Sequence, residues 1–114
     1  SDKEISKKIN FFFFLSGNID KENKRFELKL QTEVSDKNKS FKIKLCAIGL
    51  FKYEGSIEDS MQFFCINGPA ILFPYIRAYL SSLSALSGIP LILLPTINMT
   101  GLAETLKSNI KITE

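Results

Sequence analysis

The stretch that decides the fold covers residues 67–98 and reads NGPAILFPYIRAYLSSLSALSGIPLILLPTIN. Proline is tolerated in the first turn of a helix, and it disfavours helical backbone for the residue before it. We therefore predict a regular helix that begins at Pro74, with Pro69 to Phe73 as an irregular or one-turn lead-in. Gly88 followed by Pro90 predicts the end of that helix.

The predicted helix has an apolar stripe whose members recur at three- and four-residue spacing. The stripe consists of Tyr75, Ile76, Tyr79, Leu83 and Leu86. Serines occupy the remaining positions, namely Ser81, Ser82, Ser84 and Ser87. Because serine is small as well as polar, the helix can lie close to another element on that side too. This pattern favours a helix between two layers.

Three strands are predicted before the helix. Residues 9–15 are almost entirely apolar and are followed by a turn signal at residues 16–18. Residues 25–34 alternate between apolar and polar side chains, which is typical of a half-buried strand. Residues 41–51 begin with the same alternation and become apolar on both faces, and Gly49 within them indicates a bulge or a close backbone approach.

Segments on either side of the long helix are less regular. Residues 57–66 fit either a short helix or an irregular crossing. After the crossing, Asn98 is a good N-cap for a C-terminal amphipathic helix. The apolar stripe of that helix consists of Met99, Leu102, Ala103, Leu106 and Ile110.

These elements predict an α+β fold in a single domain of residues 1–114. It comprises an antiparallel sheet of three to four strands, a long helix, a proline-containing crossing and a C-terminal helix. Two strands are apolar on both faces, whereas the helices can cover only one face of the sheet. We therefore predict a homo-oligomer in which a second copy covers the other face or a strand edge.

Several short motifs stand in a recognisable order. Residues 71–77 read ILFPYIR, Gly88 and Pro90 follow, and Ile97-Asn98 and Leu102 come after them. In sequence and spacing these motifs resemble the SecB family of bacterial protein-export chaperones. The resemblance implies an ATP-independent holdase, assembled as a dimer or a dimer of dimers, that binds unfolded or nascent polypeptide in an apolar groove without a cofactor.

The resemblance also implies roles for individual residues. The client-binding groove would be lined by Phe51, Tyr53, Leu72, Phe73, Leu91, Leu93, Met99, Leu102 and Leu106. The oligomer interface would contain Tyr75, Tyr79, Ser82, Leu83 and Leu86 of the long helix. Apart from the resemblance, residues 89–94 fit two interpretations: a buried crossing that fills the core, or one wall of a groove for extended polypeptide.

The chain departs from the family pattern in its charge and in its beginning. Family members are usually acidic and dock on the motor protein SecA through carboxylates on the outer face of the sheet. Lys44 falls at one of those acidic positions, beside Lys42, which argues against docking on SecA. The chain also begins about one strand late. A divergent, basic and N-terminally short member could serve export, a toxin–antitoxin pair or a mobile element.

The composition argues against catalysis. The chain has no histidine, and therefore no ordinary general base near pH 7 and no common metal ligand of that type. Cys46 and Cys65 form no Cys-x-x-Cys pair, and we expect both to be buried and reduced. We predict a protein that is not an enzyme and that needs no cofactor or metal.

Two alternative functions and the location follow from charge and hydropathy. The net charge is +3, and acidic residues are interspersed among the lysines of the first half, so a nucleic-acid-binding module is the weaker alternative. The other alternative is a structural or regulatory homo-oligomer that binds no client. The apolar runs at residues 11–15 and 89–97 are too short for a signal peptide and a membrane span, which predicts a soluble, cytoplasmic protein.

Overall fold

The computed structural model describes residues 9–38, 40–88 and 99–113. The elements in chain order are β1 (Ile9–Asp20), β2 (Arg25–Asp36), β3 (Lys42–Lys52), α1 (Ile57–Ser87), α2 (Met99–Ser108) and β4 (Ile110–Thr113). They form one sheet in the order β3-β2-β1-β4, with both helices packed on one of its faces. The antiparallel pairing of β1, β2 and β3 and the following helices confirm the predicted α+β class.

Two tight turns connect the antiparallel strands. Asn23 donates hydrogen bonds from its side chain and its backbone to Asp20, and Ser40 donates from its hydroxyl and its backbone to Asp36. Hydrogen bonds to a carboxylate favour its charged form. The side-chain hydrogen bonds are the main reason why the pKa of each of these two aspartates lies below its ordinary value. The sequence of residues 20–24 predicts a charged turn and that of residues 35–39 a polar hairpin loop, and both connections are confirmed.

Strand β1 is longer than predicted. The turn signal at residues 16–18 lies inside the strand, which continues to Asp20. Gly17 pairs with Leu28 of β2, and a Cβ atom on Gly17 would lie 2.9 Å from the ring of Phe26. The glycine is therefore needed for the close packing of that ring, and the prediction of a turn there was wrong.

A single helix, α1, runs through the region that was predicted to contain a lead-in and a helix start. It begins after Ser56, whose hydroxyl accepts a hydrogen bond from the Asp59 N–H at 3.2 Å, and it contains Pro69 and Pro74. The predicted start at Pro74 was wrong. The predicted end was confirmed, because Gly88 follows the last helical residue with φ of 70°.

Both prolines are accommodated by their neighbours. The residue before a proline avoids helical backbone because its Cβ meets the proline ring, and Gly68 has no Cβ. Phe73, which precedes Pro74, is 1% exposed and packs with its ring 5.3 Å from that of Phe13. Packing on the sheet therefore offsets the loss of helix hydrogen bonds, which costs about 3 kcal/mol for an interior proline.

Helix α1 lies unusually close to the sheet at two glycines, one on each element. A Cβ atom on Gly68 would lie 3.0 Å from the Cδ2 of Leu28, and one on Gly49 would lie 3.2 Å from the Cδ2 of Leu72. Strand β3 pairs with β2 through Gly49 without an inserted residue. Of the two interpretations of Gly49, the close backbone approach is confirmed and the bulge is not.

The core fills the space between the sheet and the helices. Its largest fully buried side chains are Leu15, Phe26, Leu28, Leu30, Val34, Phe73, Ile76, Leu80 and Leu106. Phe26 stacks on Phe64, with 4.9 Å between the ring centroids and 2° between the ring planes. The radius of gyration is 16.0 Å, whereas about 13 Å is typical of a compact domain of this length. The difference is expected for a two-layer slab.

Helix α2 is shorter than predicted and leads into a strand. It ends at Ser108, so Ile110 does not belong to its apolar stripe. The side-chain amide of Asn109 donates to the carbonyl oxygens of Thr105 and Leu15, at 3.1 and 3.2 Å. Residues 110–113 then pair in parallel with β1 from Gly17 to Asp20. The predicted N-cap, Asn98, lies outside the described residues.

Two phenylalanines that differ in burial provide a matched test of this core. Phe26 is 0% exposed, whereas Phe12 is 63% exposed on the opposite face of the sheet. We expect Phe26→Ala to lower the free energy of unfolding by about 3–5 kcal/mol, because it leaves a cavity. Phe12→Ala should cost less than about 1 kcal/mol. Urea unfolding followed by circular dichroism measures both values, and equal losses would contradict the core described above.

Candidate functional site

The outer face of the sheet, which points away from both helices, carries uncovered apolar side chains. Phe12 and Phe14 on β1 are 63% and 41% exposed, and Ile48 and Leu50 on β3 are 55% and 75% exposed. Scattered apolar residues are normal on a protein surface, whereas contiguous apolar surface marks interaction sites. Apolar residues on both faces of β1 and β3 were predicted from the sequence, and the described helices cover only the inner face.

Helix α1 has a second uncovered surface, which we call the helix stripe and define as Ile71, Tyr75, Tyr79 and Leu86. Their exposed fractions are 47%, 70%, 55% and 87%. Between residues 60 and 87 the sequence contains a single charged residue, Arg77. A surface helix usually has a charged or polar outer face. The helix stripe therefore has the composition of a surface that is buried against another molecule.

A concavity lies where the helix stripe meets the edge of the sheet. Its volume is about 450 Å³, and it is lined by Lys44, Leu45, Cys46, Ala47, Tyr75, Ile76 and Tyr79. Strand β3 is the edge strand on this side of the described sheet. An edge strand presents backbone N–H and C=O groups that an extended polypeptide can pair with. Apolar walls beside such an edge suit an extended, apolar segment.

A second concavity, of about 320 Å³, lies on the outer face of the sheet. It is lined by Phe12, Phe14, Gln31, Thr32, Glu33, Lys44, Leu45 and Cys46. Because Lys44, Leu45 and Cys46 line both concavities, the two meet at the edge of β3. The carboxylate of Glu33 pairs with the Lys42 ammonium group at 2.9 Å.

Strand register places most of the charge of the sheet on its outer face. The charged side chains on this face are Arg25, Lys29, Lys42, Lys44, Lys52 and Lys111, with Asp20, Glu27 and Glu33 as the acidic ones. The outer face therefore has a net charge of +3. Cations predominate around an apolar concavity whose one carboxylate, on Glu33, is already paired.

The structure places the residues of the predicted groove in three groups. Tyr53, Leu72, Phe73 and Leu106 lie in the core and are at most 8% exposed. Phe51 and Leu102 are half-buried at the margin of the core. Leu91 and Leu93 lie outside the described residues, and Met99 is the first residue of α2.

Within this set, the structure brings Phe51 and Tyr53 together around Phe64. Their ring centroids lie 5.3 and 6.4 Å from that of Phe64. Sequence reasoning did not assign Phe64 to the groove. A client could contact Phe51 and Leu102 directly, whereas the core residues would become accessible only if a helix moved away from the sheet. The client-binding role of the whole set stays a prediction.

The residues of the predicted oligomer interface are accessible. Tyr75, Tyr79, Ser82 and Leu86 are exposed, and Leu83 is half-buried. The inward stripe of α1 runs instead through Ile76, Leu80 and Ser84. Of the predicted apolar stripe, Tyr75, Tyr79 and Leu86 lie on the exposed side of α1, Leu83 is half-buried and Ile76 lies in the core, and the role of these residues as an interface stays a prediction.

The two cysteines lie in different environments. Cys65 is buried, and burial raises the pKa of its thiol, with a smaller opposite effect from the charge of Lys107. Cys46 is exposed on the outer face, so the prediction that both thiols are buried was wrong. Cys46 stands two residues after Lys44 in a strand, and the alternation of side chains therefore puts it on the lysine side of β3. Both cysteines are free.

The described residues provide neither a helix that could span a membrane nor a group of side chains that could bind a metal ion. No helix within them combines the length and the apolar character needed to cross a membrane. In the same ranges, no three cysteine or acidic side chains come together in a group that could hold a metal ion.

Comparisons with known proteins point to one family. The family model described as preprotein translocase subunit SecB matches residues 8–109. The protein-export protein SecB of Sphingopyxis alaskensis is 36% identical over 81 residues, which cover 68% of this chain and 47% of that protein. An uncharacterized protein of Methanocaldococcus jannaschii, MJ0357, is 47% identical over 49 residues, which cover 43% of this chain and 32% of that protein. The chain thus spans less than half the length of these curated relatives.

A solved structure has the same fold. It is that of the SecB-like chaperone Rv1957 of Mycobacterium tuberculosis in complex with a ChAD peptide from the HigA1 antitoxin Rv1956. The TM-score is 0.67 at 18% sequence identity, and the superposition covers 79% of this chain and 72% of that one. The sheet-and-helix architecture is therefore shared.

The difference between the two thiols predicts selective alkylation. In the folded protein, iodoacetamide should modify Cys46 rapidly and Cys65 only after unfolding, because Cys65 is buried and its raised pKa lowers the thiolate fraction. Mass spectrometry of timed samples measures this. Cys46→Ser should remove the fast phase and Cys65→Ser should leave it unchanged. Modification of both thiols at one rate would contradict the placement of β3.

Proposed function

The chain belongs to the SecB family, and from that membership we propose that it is an ATP-independent holdase, a chaperone that binds unfolded or partly folded polypeptide through an apolar groove. Binding would need no nucleotide and no cofactor. The observation that carries the proposal is the apolar surface that Phe51, Met61 and Leu102 leave uncovered at the margin of the core. Accessible apolar surface of this kind is typical of sites that bind other polypeptides.

We place the client groove along the margin of the core, where half-buried apolar side chains of the sheet and the helices are accessible. Leu102 is half-buried on α2, which packs on α1 and β1, and Phe51 is half-buried on β3 at the other edge of the sheet, so each still has apolar surface to offer to a client. Met61, also half-buried against the core, could adapt to clients of different shape because methionine is flexible and polarizable. Contacts of this kind are not sequence-specific, as a holdase requires.

We propose that the helix stripe is the interface between copies of the chain. At 1.5 Å per residue, α1 is about 46 Å long, which is enough for two such helices to bury a standard interface between them. Tyrosine is enriched at interfaces because its ring is apolar while its hydroxyl can still be hydrated. Tyr75 and Tyr79 are 70% and 55% exposed on this surface.

The kind of client is proposed from the relatives. One relative is described as a protein-export protein, and the structural match was solved with a peptide from an antitoxin. Clients for export and an antitoxin client are therefore both candidates. Because Lys42 and Lys44 make the outer face basic where the family is usually acidic, we favour a client system that does not depend on SecA.

An aggregation assay tests the holdase proposal. Added without nucleotide to a chemically unfolded protein that aggregates on dilution, the chain should suppress light scattering. Leu102→Ser should weaken client binding about tenfold, because it removes apolar contact area from the groove. Leu50→Ser is the matched control, since Leu50 is 75% exposed on the outer face of the sheet.

The outcomes of this assay separate the two parts of the proposal. Both variants should retain the circular dichroism spectrum of the parent chain. If the parent chain does not suppress aggregation, the holdase function is refuted, and a structural oligomer without clients becomes the better description. If the parent chain suppresses aggregation and both variants do so equally well, the groove lies elsewhere.

The oligomer interface is tested by the mass of the protein in solution. Tyr75→Glu combined with Tyr79→Glu should lower the mass measured by light scattering, because two buried carboxylates would face each other across the interface. Both tyrosines are exposed in the single chain, so the fold should persist. Phe12→Glu, on the outer face of the sheet, should leave the mass unchanged. A parent chain that is already monomeric would refute the interface.

A further inference from the structure

We propose that the outer face of the sheet is a second docking surface and that it binds an acidic, amphipathic segment of a partner protein. Apolar side chains of that segment would fill the concavity between Phe12, Phe14 and Cys46. Its carboxylates would pair with Lys44 and Lys29. This surface is distinct from the client groove, which lies on the other side of the sheet.

The apolar side chains of this surface lie on β1 and β3, on either side of β2. Register places Phe14, Gln31 and Cys46 side by side on neighbouring strands, and Ile48 follows Cys46 by two residues on the same face. A segment bound across the sheet from β1 to β3 would therefore pass over β2, which contributes the side-chain amide of Gln31. This amide can donate to and accept from the backbone of a bound segment. The concavity of about 320 Å³ has room for one or two apolar side chains.

The charged part of the surface favours a negatively charged partner. Lys44 lines the concavity, and Lys29 lies beside Gln31 in the pattern of the outward-pointing residues of β2. The carboxylate of Glu33, which also lines the concavity, is engaged by Lys42 at 2.9 Å. The remaining positive potential therefore attracts acidic side chains and orients a segment that binds through apolar contacts.

Three other occupants fit this surface less well. A second copy of the chain would bring two faces of net charge +3 against each other. Nucleic acid would meet the carboxylates of Glu27 and Glu33 on the central strand, among the cations that would contact its phosphates. A lipid bilayer would contact the protruding side chains of Ile48 and Leu50, and it would leave the concavity between Phe12, Phe14 and Cys46 unfilled.

Fluorescence anisotropy with synthetic probes tests the proposal. The probe is a short labelled peptide in which glutamate alternates with leucine and phenylalanine, and the control peptide has lysine in place of every glutamate. The acidic peptide should bind at least about tenfold more tightly, and a rise from about 50 to about 500 mM NaCl should weaken it. Lys44→Glu should reduce its affinity about tenfold.

Control variants make the result specific to the outer face. Lys37→Glu has the same change of charge in an exposed turn beyond the strands, and it should change the affinity by less than about twofold. Phe14→Ser should weaken binding of the acidic peptide through the loss of apolar contact. Lys29→Glu should also weaken binding of the acidic peptide and should still suppress client aggregation, because Lys29 belongs neither to the client groove nor to the concavity beside the helix stripe, so the two proposals can fail separately.

Several results would overturn the proposal. These are equal affinity for the acidic and the basic peptide, equal effects of Lys44→Glu and Lys37→Glu, and no binding of the acidic peptide at all. Displacement of the acidic peptide by an oligothymidylate at a lower concentration would assign the surface to nucleic acid instead. Displacement by phosphatidylglycerol vesicles would assign it to a membrane.

Discussion

The structure depends on the close contact between helix α1 and the inner face of the sheet. At Gly68 and Gly49 the helix and the strands approach within distances that leave no room for a Cβ atom without displacement of a neighbour. The stack of Phe26 on Phe64 and the contact of Phe13 with Phe73 extend this packing along the helix. Because these contacts are strong, α1 remains one helix through two prolines, and its length determines the length of the molecule.

Because both helices pack on the inner face of the sheet, its outer face is left uncovered by the described elements. Helices cover the inner face of the sheet, so the apolar side chains that β1 and β3 direct outward have no cover among the described elements. The helix stripe, which meets the edge strand β3 at Tyr75 and Tyr79, is also uncovered. The fold therefore has one apolar surface on the outer face of the sheet and another on the helix layer, and each can be used for a different kind of association.

Local sequence patterns predicted the presence of β1, β2 and β3 well, and they predicted the end of β1 and the start of α1 poorly. The alternation in residues 25–34 and the turns at Asp20 and Asp36 are short-range signals, and the structure contains them where they were expected. Pro69 and Pro74 are also short-range signals, but tertiary packing of Phe73 outweighs them, and packing cannot be read from a single sequence. Strand β4 was missed because Ile110 also fits the spacing of the preceding helix. The outer concavity could not be predicted at all, since it depends on the register that puts Phe14, Gln31 and Cys46 in one row.

The parallel pairing of β4 with β1 has a consequence for folding of the chain during its synthesis. Thr113 donates a hydrogen bond to the side chain of Asn18, 95 positions earlier, and Asn109 reaches Leu15 over 94 positions. During synthesis the phenylalanine-rich first strand therefore leaves the ribosome long before the segment that flanks it is made. In that interval β1 has an unpaired edge and exposed apolar side chains, which are the properties of an aggregation-prone nascent segment. We therefore expect the nascent chain to be prone to aggregation until β4 has been synthesised and pairs with β1.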